Sequence, residues 1–493
     1  MGPIGGKLIM VMMVKTRPRE IGNTPDYLNP RDAHAFLRTG TTQSQLVSIC
    51  VVDRPADESV PVFDQLRARV GARAPFVPRL MQRVVATPWG LAPPAWFDAE
   101  LFDLEYHVQR RCVSGGDIPE LMRVVEDILV PLDMRRPPWR IYVVEGFDDG
   151  KWAILVQLHH VMGDAEAGIA LFAMVLADMD FVAPPEAGRP KVFAPPMLKL
   201  IRPGLAWRGR GVARRSRDTL GAISSRSGLK AAASDLSRLA ELVSRELRRP
   251  YRPAGINRPA SGQWVCRSIS RPLDELRALA RSTPRATVNT VYLSAVARAL
   301  DQALCAEGMP LKAPLKIGVP KSLRQDTDRV SVNSSTETGN LVISAPLSQE
   351  DPLELLGTIT DLLRHALDSE EHAIRSMLGK GGAAQTWPMK WNVTATLLHG
   401  PPAGFYSLGG RVEQTLLSAL PGGTKALGLV GFVYDGNLSI MVVADKSLTT
   451  VVERVCAGLH EWFDDLAKVV AAQDSQPFER IDMGMGMVAS GRR

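Results

Sequence analysis

The sequence predicts an α/β protein built as two halves of about 200 residues each. Three observations lead there. Short apolar runs of strand length alternate with helix-period segments along the chain. The 493 residues are 45% hydrophobic, enough for two or three domains with cores of their own. A proline- and arginine-rich stretch divides the chain near its middle. On this division residues 1–24 form a lead-in, 25–185 a first domain, 186–258 a helical crossover, 259–472 a second domain and 473–493 a tail.

Composition narrows the function classes. The formal net charge is +7, which suits anionic partners: phosphorylated cofactors, anionic lipid surfaces or nucleic acid. Aromatic residues make up only 6%, with no aromatic–basic interleaving for base stacking, so nucleic acid is set aside. Cys50, Cys112, Cys266, Cys305 and Cys456 are scattered and odd in number, the pattern of core thiols in a reducing compartment. No apolar run reaches the ~18 residues of a membrane-spanning helix. Leu8–Val14 is short, flanked by Lys7 and Lys15, and lacks a small-residue cleavage site, so it reads as an extended start or an interfacial foothold rather than a signal peptide.

In chain order, Asn29 suits an N-cap, with Pro30 and Asp32 in the first turn of a helix over 31–38. A strand over 46–53 and an amphipathic helix over 63–73 follow. A proline-bounded corner from Pro131 to Trp139 leads into a strand over 140–145. The apolar run from Ala153 reads as a buried strand ending in His159 and His160; Gly163 breaks the pattern, and 165–176 reads as an apolar helix. Adjacent residues on an extended segment face opposite ways, so one histidine can face a cleft while the other packs inward. Asp164 follows across a turn, and a neutral imidazole near a carboxylate is the equipment of a general base. A zinc site is disfavoured, because divergent histidines lack further ligands of HExxH or CxxC type.

Residues 183–203 read as a proline-rich exit linker. Arg202, Arg208, Arg210, Arg214, Arg215, Arg217 and Arg226 follow, opposed only by Asp218 and interleaved with Leu205, Trp207, Val212 and Leu220. Two readings stand side by side: an interfacial element for anionic lipid headgroups, and a solvated crossover between the halves. In the second half the pattern predicts a strand over 264–270, a helix over 273–281, a long helix opening at Thr287, a strand over 315–319, a hairpin turning at Asp435–Gly436, and a closing helix over 448–470.

His159-His160-x-x-x-Asp164 resembles the HHxxxDG signature of the acyltransferases related to chloramphenicol acetyltransferase, with Ala165 in place of the final glycine. The flanking segments are similar to those of bacterial wax ester synthase/diacylglycerol acyltransferases: Leu28–Asp32 before the first strand, Val77–Leu80, Phe102–Val108, Pro131–Trp139 (PLDxxxPLW), Thr287–Thr290, Lys321–Arg324 and Thr338–Val342. Thr290 stands where that family's second motif has Asp, and Asn392–Thr396 departs from its NVPGP segment.

The resemblance implies two chloramphenicol-acetyltransferase-like domains, with mixed sheets flanked by helices and an active-site tunnel between them. It implies His160 as the base, His159 as a less essential partner, and Asp164 either fixing the His160 tautomer or, as favoured, holding the motif's geometry. Asn289 is a candidate oxyanion donor, with a simple N-cap as the equal alternative. Ala165 is harmless in a helix but strained at positive φ. The implied reaction joins acyl-CoA, a co-substrate with no further cofactor, to diacylglycerol or a long-chain alcohol, in a cytoplasmic protein resting on a membrane or lipid droplet. No G-x-S-x-G nucleophile is present, which favours direct transfer. A condensation-type catalyst on carrier-bound thioesters and a non-catalytic lipid-binding homologue are the competing readings.

Overall fold

The computed structural model describes residues 26–37, 45–163, 165–181, 190–209, 230, 237, 251–322, 338–379, 390–400 and 404–474. Asp164, the 1–24 lead-in, the 475–493 tail and most of the arginine-rich crossover, with Arg210, Arg214, Arg215, Arg217 and Arg226, lie outside the described residues. The first half runs β1 (Asp26–Tyr27), α1 (Pro30–Leu37), β2 (Gln45–Val52), α2 (Val62–Arg73), β3 (Gln82–Val85), β4 (Ala95–Asp98), α3 (Leu104–His107), β5 (Val108–Cys112), α4 (Ile118–Ile128), β6 (Trp139–Glu145), β7 (Trp152–His159) and α5 (Ala165–Leu176). A helix over 201–209, α6, follows. The second half runs β8 (Trp264–Pro272), α7 (Leu273–Arg281), α8 (Val288–Ala306), β9 (Leu315–Ser322), β10 (Thr338–Ala345), α9 (Pro352–Gly379), β11 (Val393–His399), β12 (Tyr406–Ser407), β13 (Gly410–Ala419), β14 (Leu427–Tyr434), β15 (Asn437–Asp445) and α10 (Thr449–Asp474).

Two six-stranded mixed sheets form the frame, in the orders β12-β13-β2-β7-β6-β5 and β10-β9-β11-β14-β15-β8. The pairs β5–β6, β9–β11 and β11–β14 are parallel, and the other pairs within these sheets are antiparallel. One face of the first sheet (Val47, Ile49, Leu155) is covered by Leu121, Met122 and Val125 of α4. The second sheet packs on α7, α8, α9 and α10 around Tyr292, Leu300, Leu356 and Phe463. A small sheet in the order β1-β4-β3 sits beside the first.

The strand β13 falls within the 259–472 span assigned to the second domain, yet it pairs with β2 of the first sheet, Thr415 opposite Cys50 and Leu417 opposite Ser48. An alternating pattern says that a strand is half buried. It does not say against which sheet.

The stretch 183–203, expected as a linker, is in part folded onto the small sheet. Asp98 donates its backbone N–H to Val192 O at 2.9 Å, and its carboxylate accepts from Val192 N at 2.5 Å. Leu200 is buried against Ala95 and Phe97. Prolines obscured this element; Pro203 sits in the first turn of α6, where helix N–H groups lack intrahelical partners anyway.

Local signals fared well where they were complete. Asn29 Oδ1 caps α1 by accepting from Asp32 N at 2.7 Å. Asp435 and Gly436 both have positive φ, 47° and 77°, as a two-residue hairpin of this twist requires.

Candidate active site

The site grows from the end of β7. Along this strand Ile154, Val156 and Leu158 line an internal cavity, while Ala153 and Leu155 face the α4 side. The two-residue period carries His159 away from the cavity and His160 into it. His160 begins a 3-10 turn, His160–Met162, that interrupts the strand. Gly163 then has φ 133°, a conformation that favours glycine, and turns the chain into α5. Ala165 opens that helix, so the backbone demand falls on Gly163 and position 165 needs no glycine.

His159 is buried, and its Nδ1 accepts a hydrogen bond from Val161 N at 3.1 Å. Burial, reinforced by His160 nearby, pushes its pKa down to about 3, so the ring stays neutral. Its backbone N–H donates to Pro138 O at 3.0 Å. The proline-bounded corner thereby anchors the histidine strand. Trp139, next in that corner, donates Nε1–H to Leu80 O at 2.9 Å and packs edge-on against Phe172 of α5, 5.8 Å between ring centres. Its carbonyl lies 2.8 Å from His107 Nδ1, and the two rings stack at 4.3 Å. The Pro131–Trp139 segment is therefore a buttress behind the site wall, packed on Phe172 and paired with Leu158, both of which line the cavity.

The cavity lies between the two sheets and measures about 710 Å³, within the usual range of ligand pockets. Its walls are mostly aliphatic and aromatic, with Leu158, Phe172, Leu417 and Phe432 among them. Asn289 enters from the second half, in the first turn of α8. Thr287, not Asn289, is the N-cap: its Oγ1 accepts from Thr290 N at 3.3 Å, and Thr290 Oγ1 accepts from Thr287 N at 2.8 Å. Thr290 thus completes a capping box and is buried, which gives it a structural reason of its own. Asn289 is left free of capping, with Oδ1 buried and unpartnered. An orphaned buried amide oxygen is costly unless a ligand completes it.

The fold brings His160 and Asn289 to one cavity and turns His159 away from it. Cys112 is exposed on β5 and lies off the cavity wall. Cys50 is the thiol on that wall, and burial pushes its pKa up. Ser48, Cys50 and Thr415 share the wall, and the alternation of β2 could have pointed to the first two. Among the described residues no group of three or more His, Cys, Asp or Glu side chains could hold a metal ion. Among them, too, no helix is long and apolar enough to cross a membrane.

The wax ester synthase/diacylglycerol acyltransferase catalytic domain matches this chain over residues 28–292, more than half its length. The chain belongs to that family. It is an acyltransferase, with the two-domain chloramphenicol-acetyltransferase-like fold. A Mycobacterium tuberculosis protein named as a probable diacylglycerol O-acyltransferase is 24% identical over 467 residues, covering 90% of this acyltransferase and 99% of that relative. A second relative from the same organism, provisionally named for the same activity, is 25% identical over 474 residues, 89% and 96% of the two chains. The wax ester synthase/diacylglycerol acyltransferase of Marinobacter aquaeolei VT8 has a similar structure, with TM-score 0.60, 21% identity and coverage of 90% and 100%. The first condensation domain of the calcium-dependent antibiotic synthetase shares the fold at TM-score 0.57, 16% identity and coverage of 91% and 97%.

Proposed function

We propose that this acyltransferase moves a long acyl group from acyl-CoA to the hydroxyl of a lipid, diacylglycerol or a long-chain alcohol, by direct transfer with His160 as general base. One observation carries the reading: His160 opens onto a mostly apolar cavity that Asn289 also lines, its side-chain amide unused in capping the helix. An alcohol is a weak nucleophile until a base takes its proton in the transition state. His160 accepts that proton as the oxygen bonds to the thioester carbonyl carbon. The Asn289 amide donates to the oxyanion of the tetrahedral species. The C–S bond then breaks, and the imidazolium returns the proton to the departing CoA thiolate. The apolar walls hold the alkyl chains and keep out water that would hydrolyse the thioester. Asp164 serves to hold the loop. Because the acceptor is itself a lipid, the protein works at a membrane or lipid-droplet surface. Labelled palmitoyl-CoA, offered diacylglycerol and hexadecanol in parallel, tests the reading. Ester formation with one or both supports it. Turnover with neither, in protein that is folded, overturns it.

A further inference from the structure

We propose that the loop around Trp89, the turn Met197–Leu200 and the outer face of α6 form one docking surface for a lipid layer that carries anionic headgroups. It deepens the lipid-acceptor reading and rests on that reading for its purpose.

Trp89 has φ 49°, a left-handed conformation that bulky residues rarely adopt, and 79% of its surface is exposed. The loop is held in that shape. Arg208 Nη2 donates to Gly90 O at 2.6 Å, and Thr87 Oγ1 both accepts from Ala92 N at 3.1 Å and donates to Ala92 O. The left-handed turn displays the indole to solvent.

The adjoining turn and helix do the same. Leu200 packs inward, Trp207 packs on Tyr27 with ring centres 5.9 Å apart, and Gly204 lies against Leu91. Met197, Leu198 and Leu205 point out, 63%, 74% and 53% exposed. Arg202 and Leu205, three residues apart on α6, share one exposed face.

The described stretch that forms this apolar crest, residues 190–209, carries four basic side chains, Lys191, Lys199, Arg202 and Arg208, and no Asp or Glu. An aromatic at headgroup depth, aliphatic side chains in the acyl boundary and basic ends reaching phosphates are the chemistry of an interfacial helix. The surface is also tied to the site: Tyr27 belongs to β1, which leads directly into α1, and α1 packs on the turn that carries His160.

The test is sedimentation of the full-length protein with vesicles of phosphatidylcholine alone or mixed with phosphatidylglycerol. Trp89→Ser combined with Leu198→Ser and Leu205→Ser should lower vesicle partitioning at least about tenfold. Lys199→Gln with Arg202→Gln should lower it on the anionic vesicles only, and added salt should do likewise. Turnover of a short acyl-CoA with a water-soluble alcohol should be unchanged in both variants. Undiminished sedimentation of the first variant would overturn the proposal. So would a wild-type dimer that this variant splits, because a second copy would then cover the face. If the triple variant does not fold, fluorescence quenching by brominated lipids decides: it should fall in Trp89→Phe, and equal quenching in wild type and variant overturns the proposal. Vesicle binding as expected in a protein that acylates no acceptor would sink the enzymatic reading and leave the docking surface standing.

Discussion

On the proposed mechanism His160, His159 and Asn289 divide the work unequally, and substitution should expose the division. His160→Ala should cut kcat by at least about two orders of magnitude, the usual share of a general base. His159→Ala should cost less in kcat and more in melting temperature, because its ring is buried and holds Val161 N. Initial rates and thermal melts on both variants check this, and equal losses of kcat would undo the assignment. Asn289→Ala should lower kcat about 100-fold, the cost of one oxyanion donor, with little change in KM. Its stability should hold, since the amide oxygen has no partner to lose. A second consequence concerns acid. His107 and His159 are both buried, and burial takes them from an ordinary 6.5 to about 4 and about 3. Below pH 6.5 the unfolded chain takes up these protons while the folded chain does not. Stability from these two groups is therefore full above that pH and falls as pH drops towards 4 and then 3. Melting temperatures from pH 8 downwards should fall through this window, and His107→Phe should flatten the slope.

Among the elements, α8 has the sharpest local signature. Thr287 and Thr290 cap it reciprocally, and its first turn delivers Asn289 to the cavity. Thr287→Ala should destabilise the protein by about 1 kcal/mol, the usual value of a lost N-cap. Urea unfolding gives the number. A loss of kcat without a loss of stability would mean that Thr287 acts on the site rather than the helix. Other elements were harder to read. The helix α6 lies in the stretch expected as a helical crossover, but its packing was not legible: Trp207 lies on Tyr27 of β1 and Gly204 against Leu91. Helix α5 was plain, because Gly163 and the apolar run after it leave no other choice.

For the molecule as a whole, the cavity between two sheets bears on the order of events. Cys50 is the cysteine on its wall, and its thiol is pushed up by burial, away from the nucleophilic thiolate. Both substrates should therefore be bound together before reaction. Initial velocities against both substrates should give intersecting lines, and acyl-CoA alone should add no acyl mass to the denatured protein. A stoichiometric adduct that an alcohol discharges would redirect the mechanism, with Cys50 the first residue to examine.

The sequence by itself determined the local parts: the strand that ends in two histidines, the glycine that turns it, the opposite facing of His159 and His160, the amphipathic helices, and through its motifs the family. These follow from covalent periodicity and from residues whose backbone preferences leave little freedom. Only the tertiary structure decided which parts meet. That β13 crosses to the first sheet, that Asn289 of the other half lines the same cavity as His160, that Trp139 braces the site from behind, and that Trp89 stands exposed beside α6 are facts of packing. Alternation encodes burial but not the partner. A partner is chosen by shape and register between segments hundreds of residues apart, and no window along the chain contains both.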